Sequence, residues 1–283
     1  MLLVVTGPVT MQCQKPAVYQ SQEQQTLPKL LNLKKGKMRL LYFGTYHSND
    51  PTDSLFDLLT TSFATFKPRY VLHEGGSNWP VYASKDSTIR ESGEPGFTIQ
   101  LAREAAVPVS SIEPSMSEEF ESLNQLYNRT QVILMYFCRQ IDQQQRLHRA
   151  FPLTDAEFER NISYFLENLQ RSGIPMNKQE LQVAYWKQQY QDFFKEPLDW
   201  RNFDPGNYYP NFYRNQLNEI NRSSDQFRND HMISTIIKTL EARGSHGGSW
   251  RGASFCPGRR LEKSISGSSF EEKVMQRFAQ FYR

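Results

Sequence analysis

Arg39-Leu40-Leu41-Tyr42-Phe43-Gly44-Thr45-Tyr46-His47 begins as a short apolar run and breaks at a glycine. Four successive non-polar side chains without alternation fit a strand covered on both faces. Two similar runs follow, Tyr70 to Glu74 (YVLHE) and Val107 to Glu113 (VPVSSIE). A helical pattern from Ser54 to Phe66, closed by Pro68, separates the first two. Phe97 to Ala106, opened by Gly93-Glu94-Pro95-Gly96, separates the second pair. Strand–helix–strand–helix–strand predicts an α/β fold with a parallel strand core (β-α-β-α-β) and right-handed crossovers.

Beyond that core the text turns helical, so a large helical insertion is expected over about residues 115–197. Thr154-Asp155-Ala156-Glu157 reads as a capping box, with Phe158, Ile162, Phe165 and Leu169 behind it at helical spacing. Asn177 with Glu180 reads as the start of the next helix, and an aromatic loop runs from Trp200 to Pro210. The Phe and Tyr stripes read as core. A last helix is expected from about Ser223 to Ala242, with Met232, Ile233, Ile236, Ile237 and Leu240 on one face. At about 100° per residue Asn229 falls within that stripe and Arg228 on its flank. A polar group aimed at a core needs partners, so the pair reads either as a first turn clear of the core or as the wall of a site.

The 283 residues are 38% hydrophobic and 13% aromatic, ample to build a globular core. Lys plus Arg at 33 against Asp plus Glu at 30 leaves a formal charge of +3, with the basic residues scattered. That balance argues against nucleic acid as a partner. No run approaches the roughly 20 apolar residues that span a bilayer, so no integral membrane segment is expected. Cys13, Cys138 and Cys256 make neither a disulfide framework nor a CxxC pair. Cys138 reads as core. The Asn-x-Ser/Thr triplets at Asn128, Asn161 and Asn221 are taken as chance. Residues 1–36 read as a leader, with Met1 to Met11 a degenerate signal peptide that favours the periplasm or secretion. The competing reading is a cytoplasmic tail.

Ligands of parallel sheets gather beyond the carboxyl ends of the strands. Here those ends carry His47, Glu74 and Glu113, which should converge on one rim, with Arg228 facing the same cavity. An imidazole and carboxylates are what a divalent metal or an acid–base pair requires. His73 alternates with Glu74 and should point the other way, into core or surface.

Gly44-Thr45-Tyr46-His47 after a strand resembles the first Gly-x-x-His motif of the TraB/GumN family, which includes the Tiki-type proteases. The erythromycin-esterase and ChaN-like proteins are its wider relatives. Leu72-His73-Glu74-Gly75-Gly76 is similar to the acidic motif at the second strand, and Arg228-Asn229-Asp230-His231-Met232 to the late Arg-Asn-x-x-Met helix. The resemblance covers residues 37–243 and implies an α/β domain with a helical insertion. It also implies a metal-dependent hydrolase, peptidase- or esterase-like, with a divalent metal at His47 and Glu74. Its substrate would be a peptide or a small ester or amide.

The chain departs from that pattern after the last helix. An apolar strand and a second Gly-x-x-His should follow, but Arg243-Gly244-Ser245-His246-Gly247-Gly248 is no strand. Sliding the frame forward one base allows the codons of Arg243 to Lys263 to encode an apolar strand, Gly-Gly-x-His and a helix start. Residues 244–283 therefore read as an out-of-frame tail. Without the second His the chain could be inactive, and two alternatives stand beside the metal-dependent hydrolase. One is a non-catalytic binding or regulatory protein that keeps the fold. The other is a metal-free esterase with His47 as general base and Glu113 or Glu74 as its partner.

Overall fold

The computed structural model describes residues 28–35, 38–76, 80, 82–149 and 151–244. The N-terminal leader, His246 and the tail, with the readings that rest on them, lie outside those residues.

Strand β1, Lys29–Lys35, pairs antiparallel with β2, Met38–Gly44, in a register running from Lys29 opposite Gly44 to Lys35 opposite Met38. Helix α1, Ser54–Phe66, follows, with Asp53 as its cap: the carboxylate accepts the Leu55 N–H at 2.9 Å. Strand β3, Val71–His73, leads through helix α2, Lys85–Glu104, to β4, Val109–Ser111. Strands β3 and β4 pair in parallel, Val71 against Val109 and His73 against Ser111.

The fold is mixed α/β and mostly helical, with two sheets of two strands each. The expected continuous parallel core is not shown: parallel pairing among the described residues is confined to β3 and β4, while β2 pairs antiparallel with β1. The hairpin has a local cause. Gly36-Lys37, a Gly-x pair between two seven-residue strands, is a two-residue hairpin signal. A partner two residues away in sequence costs far less closure entropy than one thirty residues away.

The helical segment comprises α3, Met116–Asn124, α4, Arg129–Leu147, α5, Asp155–Arg171, and α6, Val183–Phe194. The Thr154–Glu157 capping box forms as its spacing predicts. Asn177 and Glu180 also cap reciprocally, but over a turn, and α6 starts only at Val183. Glu180 pairs with Arg129 as well, and its carbonyl accepts the Trp186 indole N–H at 2.6 Å. The aromatic stripes are core: Phe137, Phe158 and Trp186 are fully buried, as is Cys138. A 3-10 turn, Pro205–Asn207, precedes the long α7, Gln216–Gly244. Met232, Ile233, Ile236 and Leu240 of α7 pack in one cluster with Leu40, Tyr42, Leu72 and Ile112. That cluster brings α7 against the strand ends that carry the site. Among the described residues no helix is long and apolar enough to cross a membrane.

Candidate active site

A cavity of about 350 Å³ opens where the loop after β2, the end of β3, helices α4 and α7 and the aromatic loop meet. His47, Glu74, Arg228 and Asn229 line it, so the structure brings these sequence candidates together. Glu113 stands behind that wall, paired through Oε1 with Arg228 Nη2. His73 is buried, and its Nδ1 lies 2.9 Å from the Glu74 carbonyl, the bond that an Nδ1–H donor would make. Burial pushes its pKa down. It is core, one of the two places that strand alternation leaves open.

The partner of His47 is a residue that sequence reasoning passed over. Its Nδ1 lies 2.5 Å from Oε1 of Glu94, a carboxylate only 4% exposed, while the ring itself is 80% exposed. The Ser48 N–H donates to the second oxygen of Glu94 at 3.3 Å. This bond to Glu94 is the main reason that the His47 pKa is raised. Glu94 reaches the loop because α2 kinks at Gly93, whose φ of 56° and ψ of −152° are non-helical. A Cβ there would meet the Ser48 carbonyl oxygen at 3.1 Å. Only glycine takes such a backbone conformation at so close an approach without strain. Asn49 fastens the same loop by donating to the Ile89 and Arg90 carbonyls at 3.1 and 3.0 Å. Gly93-Glu94-Pro95-Gly96 reads in sequence as punctuation. The carboxylate between a glycine and a proline was the overlooked signal.

Glu74 is pushed up to about 8, chiefly by burial and next by the Glu113 carboxylate, against the pull of Arg228 and His47. Near neutral pH its carboxyl therefore keeps its proton.

The helical segment supplies the opposite wall, where the sequence reading takes the Phe and Tyr stripes as core and names no site residue. Arg139 donates to Asn221 Oδ1 at 2.8 Å and Ser224 Oγ at 2.7 Å. Arg146 donates through Nε to Asp142 Oδ2 at 3.0 Å. Tyr208 and Tyr209 donate to the same oxygen at 2.8 and 3.2 Å, which fixes the aromatic loop to α4. Arg139 interrupts the buried run Val132–Ile141, and a charge placed there demands a polar destination.

The His and carboxylate side chains on this wall are His47, Asp225 and a Glu74 that holds its proton. Among the described residues no group of three His, Cys, Asp or Glu side chains could hold a metal. Three guanidinium groups also face the same space. The described donors do not make a cation site by themselves, and the chemistry below is derived from side chains alone.

Comparison with protein-family models, with curated proteins and with solved structures found no match for this chain.

Proposed function

We propose that the chain is a hydrolase of the TraB/GumN type, acting on an ester or amide bond of a peptide or small molecule. The observation that carries the reading is the His47–Glu94 pair at a cavity that also holds a protonated Glu74. Glu94 holds Nδ1, which leaves Nε2 to take a proton from water as its oxygen attacks the carbonyl carbon. The oxyanion that forms is stabilised by Arg228, with Asn229 beside it. Glu74 gives its proton to the departing oxygen or nitrogen as the bond to carbon breaks. The products are a carboxylic acid and an alcohol or amine, and one proton passes from His47 to Glu74 to restore the site.

The divalent metal that the resemblance implies stands outside this derivation: His47, Glu74 and Asp225 are the His and carboxylate side chains on the cavity wall, and no step above uses a metal. The proposal includes a sheet in which β2 stands parallel beside β3 and β4, supported by Leu40, Tyr42, Leu72 and Ile112 sharing one apolar cluster.

The test is a panel of carboxylic esters and amides assayed with the purified chain and with His47→Ala. Turnover that falls at least about a hundredfold in the variant, the usual worth of a general base, supports the reading. Turnover that persists in His47→Ala overturns it. No turnover of any substrate leaves the cavity to a non-catalytic binding protein.

A further inference from the structure

We infer that the cavity takes an oxyanion, a carboxylate or phosphate carried by the substrate, and that Arg146 is the residue that seats it. The word substrate rests on the hydrolase reading, but binding of the oxyanion does not.

The argument is one of charge and geometry. Three arginines, Arg139, Arg146 and Arg228, line the cavity. Against them stand Asp225 and Glu74, and Glu74 keeps its proton near neutral pH. Glu113, Glu119 and Asp142 balance the three arginines from behind, so the positive character of the lining lies in the guanidinium edges turned to the cavity rather than in a net charge. The three guanidinium groups are not equivalent. Arg228 gives one terminal nitrogen to Glu113 and serves the proposed oxyanion of the reaction, and Arg139 is held by Asn221, Ser224 and Glu119.

Arg146 differs. Its contact with Asp142 uses Nε, and its side chain is 60% exposed. Asp142 itself is 3% exposed and receives two tyrosine hydroxyls on the same oxygen, so the anchor cannot follow a moving arginine. The guanidinium is thus held at one edge, with both terminal nitrogens left to form the planar fork that matches a carboxylate or phosphate. Its charge is felt at His47, where it opposes the pull of Glu94. A group seated on Arg146 would lie beside the proposed general base and orient the scissile bond toward it.

Alternative uses of Arg146 fit less well. A simple i,i+4 surface ion pair would not need a buried acid fixed by two tyrosines. An aromatic cation-binding wall would not carry three arginines.

The probes are inorganic phosphate and succinate, titrated calorimetrically into the full chain and into Arg146→Gln, Arg146→Lys and Arg171→Gln. The wild-type chain should bind at least one of the two saturably. Arg146→Gln should bind about tenfold more weakly or worse, as expected for losing a bidentate charge-assisted contact. Arg146→Lys should fall between the two, which reports the loss of the fork with the charge kept. Arg171→Gln, which removes an exposed i,i+4 arginine away from the cavity, should bind within about threefold of wild type. Phosphate bound without succinate narrows the class to phosphate-bearing substrates, and the reverse narrows it to carboxylates. Failure of both to bind, or undiminished binding by Arg146→Gln, overturns the inference and leaves the hydrolase reading untouched. Binding without any ester or amide turnover does the opposite. Circular dichroism of each variant shows that it is folded. Should Arg146→Gln unfold, Arg146→Lys decides: affinity equal to wild type would sink the assignment of a planar fork.

Discussion

Replacing Glu74 with glutamine removes a proton site whose affinity differs between the folded and unfolded chain. In the folded protein burial and Glu113 push the carboxyl up to about 8, from an ordinary value of 4.5. Below pH 4.5 both states hold the proton and the folded state carries no penalty. As the pH climbs from there to 8 the unfolded chain ionises while the folded one does not, so stability is lost continuously. Above 8 the loss is complete. At about 1.4 kcal/mol for each pH unit between the two values the full loss is about 5 kcal/mol. Glu74 is only partly buried, so solvent relaxation brings the expected figure to about 2–4 kcal/mol. A glutamine keeps the shape of the protonated acid and cannot ionise. Glu74→Gln should therefore gain on the wild type by that amount between pH 4.5 and 9, measured by urea unfolding at intervals of one pH unit. The raised pKa of His47 acts with the same sign, its contribution present below 6.5 and lost as the pH rises through its folded value. It occurs in both proteins and largely cancels in the difference. A difference constant within about 0.5 kcal/mol, the scatter expected of independent surface sites, would mean that Glu74 titrates as an ordinary carboxylate. The acid role would then fail with it.

Four more outcomes follow from the same geometry. Gly93→Ala should cost about 1–3 kcal/mol in thermal unfolding, from a positive φ and the close Ser48 carbonyl; an unchanged melting temperature would mean that the kink relaxes freely. Glu94→Gln should lower the His47 pKa in an NMR titration, because it removes the bond that chiefly raises it, and should reduce any turnover by at least about tenfold. Turnover, once found, should survive a chelating agent, and its loss on chelation with recovery on adding zinc or manganese would overturn the metal-free derivation. Restoring the reading frame after residue 243 should raise the melting temperature by burying a further strand, whereas equal stability would make the tail native sequence.

Periodicity reports what a residue does to its own element, and there the sequence was legible. The capping box at Thr154 and Glu157, the apolar face of α7 and the aromatic core of α4 to α6 all follow from spacings within one helix. The strand-end positions of His47 and Glu74 and the cavity-side position of Arg228 and Asn229 could be reached in the same way. What the sequence could not decide is which surfaces meet. Glu94 joins His47 across 47 positions, Arg228 joins Glu113 across 115, and Tyr208 joins Asp142 across 66. None of these pairings leaves a periodic trace, because each depends on where two separately stable elements come to rest. The hairpin of β1 and β2 shows the converse: a connection of two residues brings its strands together at little closure cost, so the pairing follows from adjacent sequence. The raised pKa of Glu74 is likewise a property of the assembled cavity, since desolvation and the field of Glu113 exist only once β3, β4 and α7 have packed together.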